Sequence, residues 1–242
     1  MFIPYIGEKS KFSNFIIPNI PTDISIYAEP FGGMFGIFFC LDMDKFANSS
    51  FIYNDINPLN YNLFKNLNQN DFKSKLYDTK PTKELYYHIQ STINNNIYDD
   101  IDKAINWLIL LCCSRSQYNI IDGEWRGAYE FEVFKLKLKY GNKYIDRITD
   151  IRNDNYEDVI SIYDSESTFF YMDPPYRKRE HFYINHNFND SSHYELSQIV
   201  KGIKGRFALS YYYFPEIDEW YKDYRIIKNK SLMGTEFLIM NY

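Results

Sequence analysis

The residues best suited to chemistry stand together as Asp173-Pro174-Pro175-Tyr176. An apolar run at 167–170 precedes them and reads as a buried strand, so Asp173 falls where that strand ends. Two successive prolines cannot continue a sheet ladder, because neither has an N–H to donate. They fix a rigid bend, with Tyr176 just beyond it. One carboxylate, one backbone carbonyl (that of Pro174) and one aromatic ring are then held at the C-terminal edge of a sheet, where open α/β sheets bind ligands. The set suits methyl transfer to an exocyclic amine on a nucleobase. Such an amine is a poor nucleophile, because its lone pair is delocalised into the ring. Asp173 and the Pro174 carbonyl can accept both N–H bonds and turn the lone pair toward an electrophile. Tyr176 can stack on the base. The plain alternative is a proline-braced strand end with a surface tyrosine.

Other elements must position this edge. Residues 24–28 read as a strand running into Glu29-Pro30-Phe31-Gly32-Gly33-Met34-Phe35-Gly36, with an apolar run at 37–41 after it. Strand, glycine-rich turn and helix let a ligand approach the backbone closely. Residues 50–55 read as a second strand ending in an acid. Asp55 follows the glycine-rich turn at about the 20-residue spacing of carboxylates that hold ribose hydroxyls. Asn57-Pro58 then reads as a helix start, so a capping role for Asp55 is compatible.

Residues 59–142 become helical and less regular, with Leu63, Leu67, Ile101, Ile105, Leu108 and Ile109 at helical spacing. Within them, 114–132 hold Gly123, Gly127, Arg115, Arg126 and several aromatics without period. This middle third reads as an insertion with a loop-rich, partly basic surface. Its Arg115 and Arg126 are the candidates for guanine or phosphate contacts, the alternative for each being a surface salt bridge. Residues 145–151 read as a strand and 157–160 as a short helix. A polar loop is expected over 177–190. A helix start is expected at 191–196, with Ser192 and Glu195 at capping-box spacing. Residues 207–210 read as a strand, and 224–227 with 236–242 as a closing hairpin.

Composition sets limits. In 242 residues, 45% are hydrophobic and 19% aromatic, enough for a sizeable core in one α/β domain with an insertion. The net charge of −5 counts against nucleic-acid binding by the whole surface. A basic cleft can nevertheless sit on an acidic body. Arg177-Lys178-Arg179 directly follow the motif and are candidates for phosphate contact. Cys40, Cys112 and Cys113 are odd in number and lack C-x-x-C spacing. That argues for an intracellular, reducing compartment and against a disulfide framework or a metal site. The first residues do not read as a signal peptide, and the longest apolar run, 107–113, is too short to span a membrane.

Taken in order, Tyr5-x-Gly7-x-Lys9, Glu29-Pro30-Phe31-x-Gly33, Asn54-Asp55 and Asp173-Pro174-Pro175-Tyr176 resemble the Dam-type (D12 class) adenine-N6 DNA methyltransferases. Residues 163–171 and 238–242 resemble the same family. The resemblance covers both ends of the chain and the middle poorly. It implies an α/β, Rossmann-like methyltransferase fold that uses S-adenosyl-L-methionine. The catalytic domain would comprise 1–58 and 143–242, with 59–142 as an inserted target-recognition region. It implies that Glu29, Pro30, Phe31 and Gly33 lie against the cofactor, with Tyr5 and Lys9 closing over its amino-acid end. Asp55 would hold the ribose, and Asn155 and Tyr156 would lie beside the cofactor's adenine. Asp173, Pro174, Pro175 and Tyr176 would meet a target adenine flipped out of DNA.

The sequence departs from the family pattern in places. Met34 and Phe35 stand where a small residue and a glycine are usual. Glu8 replaces a glycine and Asn155 an acid. These departures bear on cofactor affinity. The Dam-type recognition hairpin is absent, so no GATC target carries over. Rival readings are an RNA adenine or a cytosine-N4 substrate, or a catalytically silent DNA-binding module of the same fold. A protein-glutamine methyltransferase fits less well, because that resemblance favours Asn where Asp173 stands.

Overall fold

The computed structural model describes residues 3–5, 7, 9–95, 99–116, 120–140, 142–178, 180, 188–231 and 234–242. Seven strands form one sheet: β1 Ile26–Glu29, β2 Ser50–Asn54, β3 Ile148–Arg152, β4 Thr168–Met172, β5 Arg206–Tyr212, β6 Arg225–Ser231 and β7 Gly234–Met240. Their order is β3-β2-β1-β4-β5-β7-β6. The first five are parallel, and β7 runs antiparallel between β5 and β6. From β1 the chain moves outward through β2 and β3, then returns to pair β4 on the opposite side of β1. The strand order therefore reverses beside β1, and the crevice at its C-terminal end is where doubly wound sheets take ligands.

Every side chain of β4 is buried, as a parallel strand covered on both faces requires. The pleat divides the strands between two cores. Tyr27, Phe51, Tyr53, Phe169 and Tyr171 face one side, against Leu63, Phe64 and Trp107. Ala28, Ile52, Phe170 and Met172 face the other, against Ile160, Leu196 and Val200. The second side is covered by α8 (Tyr156–Tyr163) and α9 (Asp190–Ile199).

Between β2 and β3 lie α2 (Pro58–Asn66), α3 (Asn70–Asp78), α4 (Lys83–Thr92), α5 (Asp100–Cys113), α6 (Tyr129–Tyr140) and α7 (Asn142–Ile145). The middle third is thus built on helices, and its core is continuous with one face of the sheet. Asn57 caps α2 by accepting from the Leu59 N–H, with Pro58 at the first turn. Asp99 caps α5 through the Asp102 N–H at 2.7 Å.

Two local expectations are corrected. The apolar run at 37–41 forms no α-helix, only a 3-10 turn at Phe38–Cys40. Phe35 adopts φ 55, which ends any helical path before it starts. Its ring is spent on packing, stacked on Phe38 at 4.2 Å and edge-on to Tyr53 at 5.3 Å. The cap of α9 is Asn189 rather than Ser192. Asn189 accepts from the Ser191 and Ser192 N–H groups, and Ser192 answers from the third helical position. The three cysteines are free thiols. Among the described residues no helix is long and apolar enough to cross a membrane, and no His, Cys, Asp and Glu cluster could hold a metal.

Candidate active site

A cavity of 330 Å³ opens at the C-terminal ends of β1, β2 and β4. Tyr5, Lys9, Glu29, Pro30, Phe31, Gly33, Asp55, Asn155, Tyr156, Asp173 and Pro175 all line it. The fold therefore brings one site together from five separate stretches of sequence.

The wall after β1 is the glycine-rich turn. The Gly32 N–H donates to the Asn54 carbonyl at 2.6 Å, and the Asn54 amide donates back to the Pro30 carbonyl at 2.8 Å. A Cβ on Gly32 would lie 2.5 Å from Tyr53 Cε2 and 2.8 Å from the Asn54 oxygen. Gly33 has φ 49, with Tyr5 against its Cα face. The turn is narrow because these residues carry no side chain there.

Asp55 ends β2 and ties the two walls together. Its Oδ2 accepts from Gly33 N–H and its Oδ1 from Asn57 N–H, each at 2.7 Å. Burial raises its pKa to about 6, against the lowering effect of those N–H groups and of Asn60. Glu29 lies deeper and braces the turn. It accepts from the Tyr27 hydroxyl at 2.6 Å and the Phe38 N–H at 3.3 Å. Burial holds its carboxyl well above the usual range. Asn60 reaches from α2, donating to the Tyr5 hydroxyl at 3.1 Å and accepting from the Trp107 indole at 2.9 Å.

Past β3, Phe31 stacks on Tyr156 at 4.9 Å, and Phe188 closes edge-on over Phe31 at 5.7 Å. Asn155 precedes α8 with its side chain uninvolved in capping. This end of the cavity is aromatic, with carboxamide and carboxylate groups at its rim.

At the other end, Asp173 Oδ1 meets Lys9 Nζ at 2.9 Å. Lys9 also donates to the Gly7 carbonyl at 2.9 Å and lies 4.6 Å from the centre of the Tyr176 ring. Burial pulls the Lys9 pKa down, but Asp173 and Glu236 overcome this and leave it raised. Lys9 thus lies on the Asp173 carboxylate. Pro174 and Pro175 are buried. Tyr176 is buried as well: its hydroxyl donates to Glu236 and Tyr212 packs edge-on at 4.7 Å.

The basic candidates lie elsewhere. Arg177 pairs with Asp190 at 2.8 Å and with Glu216 at 2.6 Å, and covers the Phe214 ring. Lys178 is exposed, at φ 66. Arg179 lies outside the described residues, as does most of the loop expected over 177–190. Arg126 donates to the Cys112 carbonyl through Nε and Nη2, closing the C-terminus of α5. Arg115 is 71% exposed, 3.8 Å from Glu124.

Sequence reasoning missed Asn60, Phe188 and Glu236. Asn60 stands three residues past the cap Asn57, on the turn of α2 that faces Tyr5. Glu236 is an acid at the head of an apolar strand, which was a readable anomaly.

An acceptor carboxylate after Pro-braced β4 and a carboxylate-latched glycine turn thus share one cavity at the sheet's switch point. The likeness carried by those motifs extends beyond them. No curated protein matches the chain at the significance required. The sequence profile of the D12 class N6 adenine-specific DNA methyltransferases matches it over residues 5–235. The match spans sheet, cavity and the helices between β2 and β3 alike, so the chain belongs to the D12 class of N6 adenine-specific DNA methyltransferases.

Proposed function

We propose that the methyl donor of this adenine-specific DNA methyltransferase is S-adenosylmethionine, held in the cavity above β1 and β2. Its acceptor is then N6 of an adenine turned out of the duplex onto Asp173. The observation that carries the reading is that Asp55 and Asp173 open onto one cavity from the ends of β2 and β4, the two parallel strands that flank β1.

The wall fits the donor. Asp55 suits ribose hydroxyls, and the Phe31–Tyr156 stack with Asn155 suits a purine. The Asn57 side chain, beside the Tyr5 hydroxyl on the cavity wall, adds an amide donor at the sugar end. Phe35 is fully buried outside the cavity wall, so that departure from the family pattern takes no ligand space. When bound, the donor supplies a methyl group already activated on a sulfonium. What remains for this chain is positioning. Asp173 and the Pro174 carbonyl accept the two N6 hydrogens, which frees the nitrogen lone pair to take the methyl carbon. A bound donor would give up the methyl carbon and keep the carbon–sulfur electron pair as a neutral thioether. The proton shed by N6 passes to Asp173 or to water.

Calorimetry with S-adenosylmethionine tests the cofactor assignment. Wild type binds, and Asp55→Ala binds at least about tenfold more weakly, the range for hydrogen bonds to a charged group. No binding by wild type sinks the reading. The acidity of Asp55 adds a sign test. With the folded pKa raised to about 6 from 3.8, the folded state holds the proton more tightly between those values. Stability contributed by this group therefore rises as pH falls through 6, while cofactor affinity falls. Wild type minus Asp55→Asn isolates both trends, and equal pH profiles would refute the assignment.

Residues 59–142 are proposed as the target-recognition region, with Arg115 as its more exposed arginine. The motif-adjacent run divides. Lys178→Ala should reduce the slope of log affinity for DNA against log salt by about 0.9. Arg177→Ala should leave the slope alone and lower Tm, because its charge is already met by Asp190 and Glu216. A slope change in Arg177→Ala would show that those pairs open on DNA.

A further inference from the structure

β7 is apolar and buried from Phe237 to Met240, yet its third residue, Glu236, is a carboxylate only 1% exposed. Glu236 pairs with Tyr212 of β5 in the sheet register. Its Oε1 accepts from the Tyr176 hydroxyl. Its Oε2 is buried on the side of Ser210, away from water. A carboxylate in such a place is unfavourable by itself, and an apolar pair at 176 and 236 would pack without that penalty. The family match ends at residue 235, so it does not assign Glu236.

The surroundings say what the carboxylate does. Tyr176 is clamped on three sides. Its hydroxyl is on Glu236, Tyr212 meets it edge-on at 71°, and the Lys9 ammonium lies 4.6 Å from its centre. The outer torsion of a tyrosine is broad and soft. The hydroxyl oxygen lies on the axis of that torsion, but a phenolic O–H prefers the plane of its ring, so a directional hydrogen bond to Glu236 together with the Tyr212 edge contact selects the plane the ring adopts. Lys9 also joins the two ends of the site, since it pairs with Asp173 and is held charged by Glu236 as well.

We propose that Glu236 is a positioning residue for methyl transfer, which sets the plane of Tyr176 and so the angle at which the target adenine meets Asp173. The inference rests on the reading of Tyr176 as the stacking surface for the flipped base; the ring is 6% exposed and Lys9 lies over it, so that reading requires the Lys9 side chain to move aside when the base enters. It assigns Glu236 no contact with substrate or cofactor and routes its effect through the Tyr176 hydroxyl rather than through the charge of Lys9, which Glu236→Gln and Glu236→Leu alter alike.

The test uses the full chain, S-adenosylmethionine and duplex DNA that the enzyme methylates, with 2-aminopurine in place of the target adenine for the spectroscopic arm. Wild type should quench the fluorescence of the flipped 2-aminopurine by stacking. Tyr176→Phe and Glu236→Leu should each relieve that quenching and lower kcat about tenfold, the scale of one buried hydrogen bond. The double variant should be no worse than either single one. Glu236→Gln should recover most of the loss, because its amide oxygen still accepts from the hydroxyl. Cofactor affinity by calorimetry should stay within about twofold throughout. Full kcat in Tyr176→Phe overturns the proposal, even if Glu236→Leu does not fold. Losses that multiply in the double variant, or a loss of cofactor affinity that matches the loss of kcat, overturn it too. Absence of quenching in wild type removes both this inference and the stacking role beneath it. Quenching in wild type that Glu236→Leu retains removes the inference alone.

Discussion

Asp173→Ala should lower methyl transfer to unmethylated DNA by about 10² to 10⁴-fold, the range for a positioned proton acceptor. The ring of Tyr176 and both prolines stay, so the loss reports the carboxylate. The ion pair adds a second consequence. Lys9 is only 6% exposed and would lose the carboxylate at 2.9 Å that offsets the cost of burying its ammonium. Removing one partner of a buried pair is strongly destabilising, so Tm should fall as well. The two effects separate in a double variant. Lys9→Met together with Asp173→Ala should restore much of the Tm and none of the transfer. Asp173→Asn keeps the shape and one acceptor, and should retain more activity than alanine. The assay is labelled methyl transfer, with nuclease digestion to identify N6-methyladenine. An alanine variant that transfers at the wild-type rate would place the chemistry elsewhere. Activity recovered along with Tm in the double variant would show that Asp173 matters for folding alone.

Gly32→Ala should be nearly as damaging, through the cofactor rather than the base. The added Cβ would meet Tyr53 Cε2 at 2.5 Å and the Asn54 carbonyl at 2.8 Å. Neither can retreat. Tyr53 stacks on Phe64 at 4.1 Å and its hydroxyl donates to the Gly33 carbonyl at 2.9 Å. The Asn54 carbonyl belongs to the backbone of β2. The turn must move instead, and Gly33 N–H leaves Asp55. Overpacking of this kind destabilises by about 1–3 kcal/mol, and cofactor affinity should fall by at least about tenfold as the latch opens. Gly202→Ala is the control, since nothing lies within 4 Å of its Cβ position. Calorimetry and thermal melts on both variants decide the matter. An alanine at 32 that binds cofactor normally would show that the turn does not form the cofactor wall.

The site was legible where chemistry and punctuation coincide. β1, β2 and β4 are apolar runs that end at Glu29, Asp55 and Asp173, each followed closely by glycine or proline. Their order along the chain allowed one cavity to be anticipated. The run at 37–41 misled because five consecutive apolar residues carry no period. A buried helix and an aromatic-packed turn look alike in such a run. The cap of α9 slipped because Asn189, Asp190, Ser191 and Ser192 can all cap a helix, and only the path of the chain chooses among them. Arg177 looked like a solvent-facing cation because its two carboxylates come from α9 and from the loop before Ile217. Charge runs reveal sign, not partners. Tyr176 was expected to be presented beyond the prolines. Its burial against Glu236 depends on β7 returning between β5 and β6, which no local pattern encodes.

The Trp107–Asn60–Tyr5 line of hydrogen bonds bears on how this enzyme can be re-engineered. Trp107 sits in the longest helix of the middle third, and Tyr5 walls the cavity at the opposite end of the chain's sequence. Residues 59–142 therefore cannot be exchanged as a cartridge to install a new target sequence. A transplanted block without an amide at position 60 and an indole at 107 would leave Tyr5 untethered, whatever base-reading surface it carried. Chimeras should instead be cut after Cys113 and before Tyr129, where the chain has left α5 and has not yet joined α6. Everything nearer the sheet is shared masonry.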